Sequence, residues 1–268
     1  MKILYIGACT HSGSTLLNMV LGAHPDIIAV GSLKKINRIL AGETKCACGV
    51  NSLYDCEFWS RVDRALREQG VEGLGALNIR TKNRARFVED NVALFSAIRA
   101  ASGSDIIVDC SRKANRLRWL QQIPELDVIP VHLYKSPRNQ ASSWKRKGKH
   151  FFGYLTEYWG RNLSVMNACA ENPASMRLSY EYFCEHTEDE LRRLCAGIGV
   201  SYDERMLNAW AGQTIHTLGG NRRTKKEASS RIELRERQDL LSGFEYTWVQ
   251  NLCAPLWNRL EARSSVTK

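Results

Sequence analysis

Lys2-Ile3-Leu4-Tyr5-Ile6-Gly7-Ala8-Cys9-Thr10-His11-Ser12-Gly13-Ser14-Thr15-Leu16-Leu17 reads as a buried strand, a tight turn and the opening of a helix. The apolar run is short and β-branched, and Gly, Ser and Thr punctuate it before helical spacing begins at Thr15. Small residues let successive backbone N–H groups curl around an anion, and a helix N-terminus adds its positive end. The hydroxyls of Ser12, Ser14 and Thr15 offer further donors to phosphate or sulfate oxygens. Five residues separate Gly7 from Gly13, and Ser14 stands where a Walker A loop carries lysine, so this is not the nucleoside-triphosphate loop. A Gly/Ser turn that merely caps a helix is the plainer reading; the order strand, turn, helix favours an anion cradle.

Outward from that segment, Asp105 to Asp109, Val128 to Tyr134 and, more weakly, Met176 to Tyr180 read as further strands. Helical patterns lie over Thr15 to Ala23, Asp90 to Ala100, Arg116 to Gln122, Gln140 to Lys147 and Tyr154 to Ala170. Alternating strands and helices predict an α/β fold with a parallel sheet covered on both faces. Beyond Tyr180 the chain reads as mainly helical, and Thr187 followed by Glu188-Asp189-Glu190 resembles a helix start. No repeat or linker divides the 268 residues, so one domain over 1–268 is expected.

The chain carries 38 Lys+Arg against 28 Asp+Glu, a formal charge of +10, which favours anionic partners without choosing among them. No run approaches the roughly 18 apolar residues of a membrane helix. The apolar start is too short for a secretion signal, so the expectation is a cytoplasmic protein whose nine cysteines stay reduced.

His11-Ser12-Gly13-Ser14-Thr15-Leu16-Leu17, followed by His24-Pro25-Asp26, resembles the 5′-phosphosulfate loop of sulfotransferases that use 3′-phosphoadenosine-5′-phosphosulfate (PAPS). His11 replaces the lysine or arginine usual in that family, a permanent cation exchanged for a group titrating near neutrality. Tyr134-Lys135-Ser136-Pro137-Arg138-Asn139-Gln140-Ala141-Ser142-Ser143 resembles the family's 3′-phosphate motif, an arginine with a serine eight positions later. Lys135 and Ser143 keep that spacing (143 − 135 = 8), although lysine lacks arginine's bidentate fork. Arg138 is a further cofactor contact or an exposed helix-start arginine. Tyr180, in Leu178-Ser179-Tyr180-Glu181, resembles the tyrosine set against adenine, or is a half-buried sheet residue. Asn221, Arg222 and Arg223, in the segment from His216, resemble the stretch that closes over the cofactor; with Lys225 and Lys226 they also fit a solvated basic loop.

The resemblance implies a P-loop-NTPase-like sulfotransferase fold with a helical C-terminal part. It implies sulfuryl transfer from PAPS to a hydroxyl or amine of a small-molecule acceptor, in line, with no covalent intermediate and no required metal. His11 is placed to act as a cationic hydrogen-bond donor or general acid toward the leaving phosphate. Relatives often carry Gly-Glu shortly after His-Pro; here Gly31-Ser32 replaces it, so Asp109, at a strand end where α/β sites assemble, is the leading substitute base. Its alternative is a helix cap. His24 reads as a helix terminator. The stretches between Gly31 and Ile106 and beyond Tyr182 are expected to shape the acceptor pocket.

Cys46, Cys48 and Cys56 form C-x-C-x7-C without an evident fourth ligand or paired C-x2-C spacing. A structural loop beside the acceptor cleft is the expectation, with zinc the alternative. Lys145-Arg146-Lys147-Gly148-Lys149-His150 lacks any nucleic-acid motif and reads as a basic helix end lending potential to the cofactor site, so neither a nucleic-acid nor a membrane partner is expected. Two rival readings stand beside the sulfotransferase: a P-loop kinase or nucleotide hydrolase, disfavoured by the missing lysine, and a non-catalytic binder of anionic nucleotides or nucleic acid, which Ser32 keeps open.

Overall fold

Ile3, Leu4, Tyr5 and Ile6 are fully buried, so the first strand, β1 (Lys2–Ala8), is covered on both faces, as the inner strand of a parallel sheet must be. The structure, a computed structural model, describes residues 1–209, 215–220, 232, 234 and 240–264. Its elements in order are β1, α1 (Ser14–Leu21), β2 (Ile27–Gly31), α2 (Ile36–Leu40), α3 (Glu57–Glu68), α4 (Arg84–Ser102), β3 (Ile106–Arg112) and α5 (Ala114–Leu120). There follow β4 (Asp127–Tyr134), α6 (Pro137–Lys145), α7 (Phe151–Ala170), β5 (Met176–Ser179), α8 (Tyr180–Glu185), α9 (Thr187–Ile198) and a C-terminal helix, Gly243–Ser264.

The strands form one five-stranded sheet in the order β2-β3-β1-β4-β5, with every pairing parallel. Side-chain alternation along β1 divides the core. Leu4, Ile6 and Ala8 pack with Leu16, Leu17 and Val20 of α1 and with Leu191, Leu194 and Ile198 of α9. Ile3 and Tyr5 join the opposite layer with Val62 of α3, Leu94 and Phe95 of α4, Leu117 of α5 and Val165 of α7. Burying each such side chain contributes about 1.5–3 kcal/mol. A third cluster seats the C-terminal helix, through Val249, Cys253, Leu256 and Leu260, on Ala141, Tyr154 and Tyr158.

The α/β fold with an all-parallel sheet is as expected from the sequence. β2, Ile27–Gly31, was not legible as a strand: it is short and follows His24-Pro25-Asp26, which reads as a terminator. β5 stops at Ser179, and Tyr180 opens a helix instead of ending the strand.

Register brings the strand ends level. Ala8 pairs with Leu133 across β1 and β4, Leu133 with Leu178 across β4 and β5, and Gly7 with Arg112 across β1 and β3. The segments that leave these ends therefore meet at one edge of the sheet. β1 lies between β3 and β4, with its neighbours reached in opposite directions, which is where α/β folds open a ligand crevice.

Candidate active site

The cradle turns on two left-handed residues, His11 (φ 69) and Gly13 (φ 86). A non-glycine residue at such an angle is held there by its surroundings and clusters at functional sites. Gly13 is the N-cap of α1, whose first turn receives no side-chain cap; the Leu16 N–H turns back to Gly13 O at 2.9 Å. Gly13 also has no room for a side chain: a Cβ there would lie 2.1 Å from Tyr180 Cδ2.

Tyr180 links the two motifs. Besides pressing on Gly13, its ring lies 4.2 Å from Lys135 Nζ, a cation–π contact. Lys135 is 6% exposed and Ser143 8%. The start of α6 is fixed by Pro137 and by the Ser136 cap, whose hydroxyl accepts from the Asn139 N–H. Glu181, next to Tyr180, accepts from the Ser136 N–H at 3.1 Å and from Asn139 Nδ2 at 3.0 Å. Gln140 donates through Nε2 to Thr10 O at 2.6 Å and reaches Ser12 Oγ at 3.4 Å, tying α6 to the cradle. Ser143 lies three residues further along the same helix face, its hydroxyl donating to Asn139 O at 2.9 Å. Arg138 lies over the Tyr246 ring at 4.5 Å, packed against the C-terminal helix. Asn221, Arg222 and Arg223 lie outside the described residues.

Thr10 is held from the other side. Glu157 of α7 accepts from its hydroxyl at 2.9 Å and its N–H at 3.3 Å, with Arg161 keeping that carboxylate below its ordinary value despite burial. Glu157, Gln140 and Glu181 were missed in the sequence because their roles depend on packing, not on local pattern.

His11 differs from the expected cation. Burial, then the charges of Lys149, Arg112, Lys147 and Lys135, lowers its imidazole to about 4, so it is neutral at pH 7 until an anion offsets those charges. Its Nε2 is buried and has no hydrogen-bond partner among the described residues. The basic run does lend potential here, with Lys149 folding back over Trp144 at 4.1 Å and Trp144 edge-on to His11 at 6.2 Å. Arg112, itself left-handed at φ 64, is a further site cation that the sequence reading passed over.

Asp109, expected as the base, is fully buried. One carboxylate oxygen accepts from Arg116 Nε at 3.1 Å and the other from Ser111 Oγ at 2.5 Å. Both oxygens are engaged away from solvent, one by Arg116 and one by Ser111. Ser32 is likewise buried. Lys34, two residues on, is half-buried; its N–H donates to Ser111 Oγ at 3.1 Å and its Nζ to Ser111 O at 2.7 Å. Burial, then Arg112 and Lys113, lowers its amine to about 7. His24 is structural, its ring bridging Ser201 O at 2.8 Å and the Asp26 N–H at 3.1 Å.

The cysteine loop gains a partner the spacing did not reveal. Cys46, Cys48 and Cys56 stand together with His216, which arrives 160 residues after Cys56. Gly31, at φ 75, leaves no space for a Cβ against the Leu218 backbone. That closeness lets the segment 215–220 lie along the end of β2, with Leu218 N–H donating to Val30 O at 2.9 Å and Ser32 N–H to Leu218 O at 2.8 Å.

No known family's sequence profile and no curated protein sequence matches the chain. Solved structures do. The sulfotransferase domain of the Synechococcus PCC 7002 olefin synthase superposes with a TM-score of 0.57 at 15% identity, covering 95% of this chain and 94% of that one. The chain has the sulfotransferase fold. The sulfotransferase domain from the curacin biosynthetic pathway is similar at a TM-score of 0.58 and 15% identity, over 95% and 97% of the two chains. Sulfotransferase STF9 from Mycobacterium avium gives 0.50 at 12%, over 96% and 76%. The sulfotransferase fold is P-loop-like. No helix among the described residues is long and apolar enough to cross a membrane.

Proposed function

We propose that the chain is a PAPS-dependent sulfotransferase acting on a hydroxyl or amine of a small-molecule acceptor. The observation that carries the reading is the Tyr180 ring, which touches both the cradle at Gly13 and Lys135. Two anion sites one aromatic ring apart suit a nucleotide with phosphates at both ends of its ribose. The residues present fit that substrate: Gly13 lets the Tyr180 ring close directly on the turn, and the buried His11 Nε2 has no protein partner among the described residues.

In this reading Ser12 to Thr15 and the start of α1 hold the 5′-phosphosulfate. Lys135 and Ser143 hold the 3′-phosphate, the serine hydroxyl turning from Asn139 O to do so. Arg138 and Tyr180 complete the nucleotide's surroundings, and Asn221, Arg222 and Arg223 are proposed to close over it. The acceptor oxygen or nitrogen attacks sulfur as the bond from sulfur to the bridging phosphate oxygen breaks. The electron pair leaves with the 5′-phosphate, giving adenosine 3′,5′-bisphosphate and the sulfated acceptor. His11 donates a hydrogen bond to the oxygen that gains charge, a stabilisation directed at the transition state. Lys34, held on the end of β3 through Ser111 O at 2.7 Å beside Arg112, whose charge also reaches His11, is assigned the acceptor's proton; its amine, lowered to about 7, is partly unprotonated near neutrality, as a general base requires. The transfer itself needs alignment and charge stabilisation, for which these side chains suffice without a metal.

Incubation with sulfur-labelled PAPS and a panel of hydroxyl and amine acceptors tests the proposal, with ATP in parallel. Label should pass from PAPS to an acceptor, and ATP should neither bind nor compete. Failure to bind PAPS or its desulfonated product, or phosphoryl transfer from ATP, would overturn it.

A further inference from the structure

Cys46 Sγ and Cys56 Sγ lie 3.9 Å apart, Cys48 Sγ and Cys56 Sγ 3.6 Å, and Cys56 Sγ and His216 Nδ1 3.1 Å. All four potential ligand atoms lie within 4.8 Å of one another. A tetrahedral zinc with Zn–S near 2.3 Å and Zn–N near 2.0 Å sets ligand separations of about 3.8 Å between sulfurs and about 3.5 Å between sulfur and nitrogen. The two sulfur pairs already have that spacing, and the sulfur–nitrogen pair needs a few tenths of an ångström. We propose that Cys46, Cys48, Cys56 and His216 bind one structural Zn²⁺, which staples the segment 215–220 to the end of β2 beside the active site.

The surroundings fit a closed site. Gly49, at φ 91, turns the chain after Cys48, and its N–H returns to Cys46 O at 3.1 Å. Cys56 is the residue before α3, which fixes its position beside Cys46 and Cys48. The His216 ring stacks on Phe58 at 6.0 Å, and its carbonyl accepts from Trp59 Nε1 at 2.8 Å, so the backbone is fixed while Nδ1 faces the sulfurs. Three thiolates and one imidazole in a tetrahedron are a zinc donor set. Four protein ligands leave no open position for substrate, which makes the ion structural and not catalytic. Binding displaces the three thiol protons to solvent.

The staple has a consequence for the nucleotide site. His216 is followed by Thr217, whose carbonyl accepts from the Ala47 N–H at 3.2 Å, and by Leu218, paired with β2. Gly219 then lies against Lys35, so close that a Cβ would meet Lys35 Cδ at 2.7 Å. Asn221-Arg222-Arg223 follow directly in sequence. Zinc would therefore fix the described segment that those residues follow in sequence; that they serve the nucleotide site rests on the proposed function.

Metal analysis of the purified full chain, expressed with zinc in the medium, should find about one zinc per chain. Cys48→Ser and His216→Ala should lower that to under about a tenth, whereas His216→Cys, which preserves a four-ligand set, should retain it. Cobalt substituted into the wild-type protein should show thiolate charge-transfer bands and the intense d–d absorption of a tetrahedral ion, a readout independent of how well any variant folds. Folded wild-type protein without stoichiometric zinc, a disulfide between Cys56 and Cys46 or Cys48 in that protein, or zinc content indifferent to both substitutions would overturn the proposal.

Discussion

Tyr180 lies on Gly13 so tightly that a Cβ on the glycine would stand 2.1 Å from its ring. One tyrosine, the first residue of α8 directly after β5, thereby shapes a loop that begins at the end of β1, two strands away in the sheet. Gly13→Ala meets two obstacles: the left-handed φ of 86°, worth about 1–2 kcal/mol, and the ring. Binding of adenosine 3′,5′-bisphosphate should fall at least about tenfold, or about 1.4 kcal/mol. Tyr180→Ala in the same chain removes the clash but not the backbone cost, so the double variant should remain less stable than Tyr180→Ala alone in thermal melts.

His11→Ala should reduce kcat by about 100-fold, the lower end of the range for a lost proton donor, while nucleotide affinity changes far less. His11→Lys, which restores a cation at that position, should recover much of the rate. Equal losses in kcat and affinity would make His11 a binding residue; an unchanged kcat on a confirmed acceptor would remove it from the mechanism.

Asp109→Ala should destabilise the fold by about 3–5 kcal/mol, because Arg116 is left buried without its partner. Denaturant unfolding measures this. Asp109→Asn, where it still folds, should keep its kcat. A 100-fold loss of turnover with an unaltered unfolding midpoint would restore Asp109 as the base.

Lys34 should give the pH profile its rising limb. Its amine is held at about 7, so it is protonated and unable to accept a proton below that pH and competent above it. Bound phosphates oppose the cationic neighbours that depress it, so the limb of kcat should lie at or above the limb of kcat/KM. Lys34→Met should lower kcat and flatten the limb. A limb that survives Lys34→Met belongs to another group.

The two strand-to-helix turns were legible because each is local: a strand end, a run of small or hydroxylated residues, a helix start. β4 and α6 were readable for the same reason, as an apolar run leading into Ser136-Pro137. What escaped depends on distance in sequence. Glu157 and Gln140 grip Thr10 from helices that only the folded sheet brings near. His216 joins the cysteines across 160 residues, a separation that no spacing rule spans. Asp109 looked like a base because it ends a strand, but Arg116, on the next helix, occupies it. His11 reads from the sequence as a group titrating near neutrality; burial, then the lysines and Arg112 around it, which only the fold brings near, push its imidazole lower.

Isothermal titration of adenosine 3′,5′-bisphosphate against adenosine 5′-phosphate, on the wild-type chain and on Lys135→Ala, addresses the doubly anchored nucleotide directly. The 3′-phosphate should tighten binding to the wild type by at least about tenfold, and that advantage should vanish in Lys135→Ala. Equal affinity for the two nucleotides in the wild type, or an advantage that survives the loss of Lys135, would contradict it.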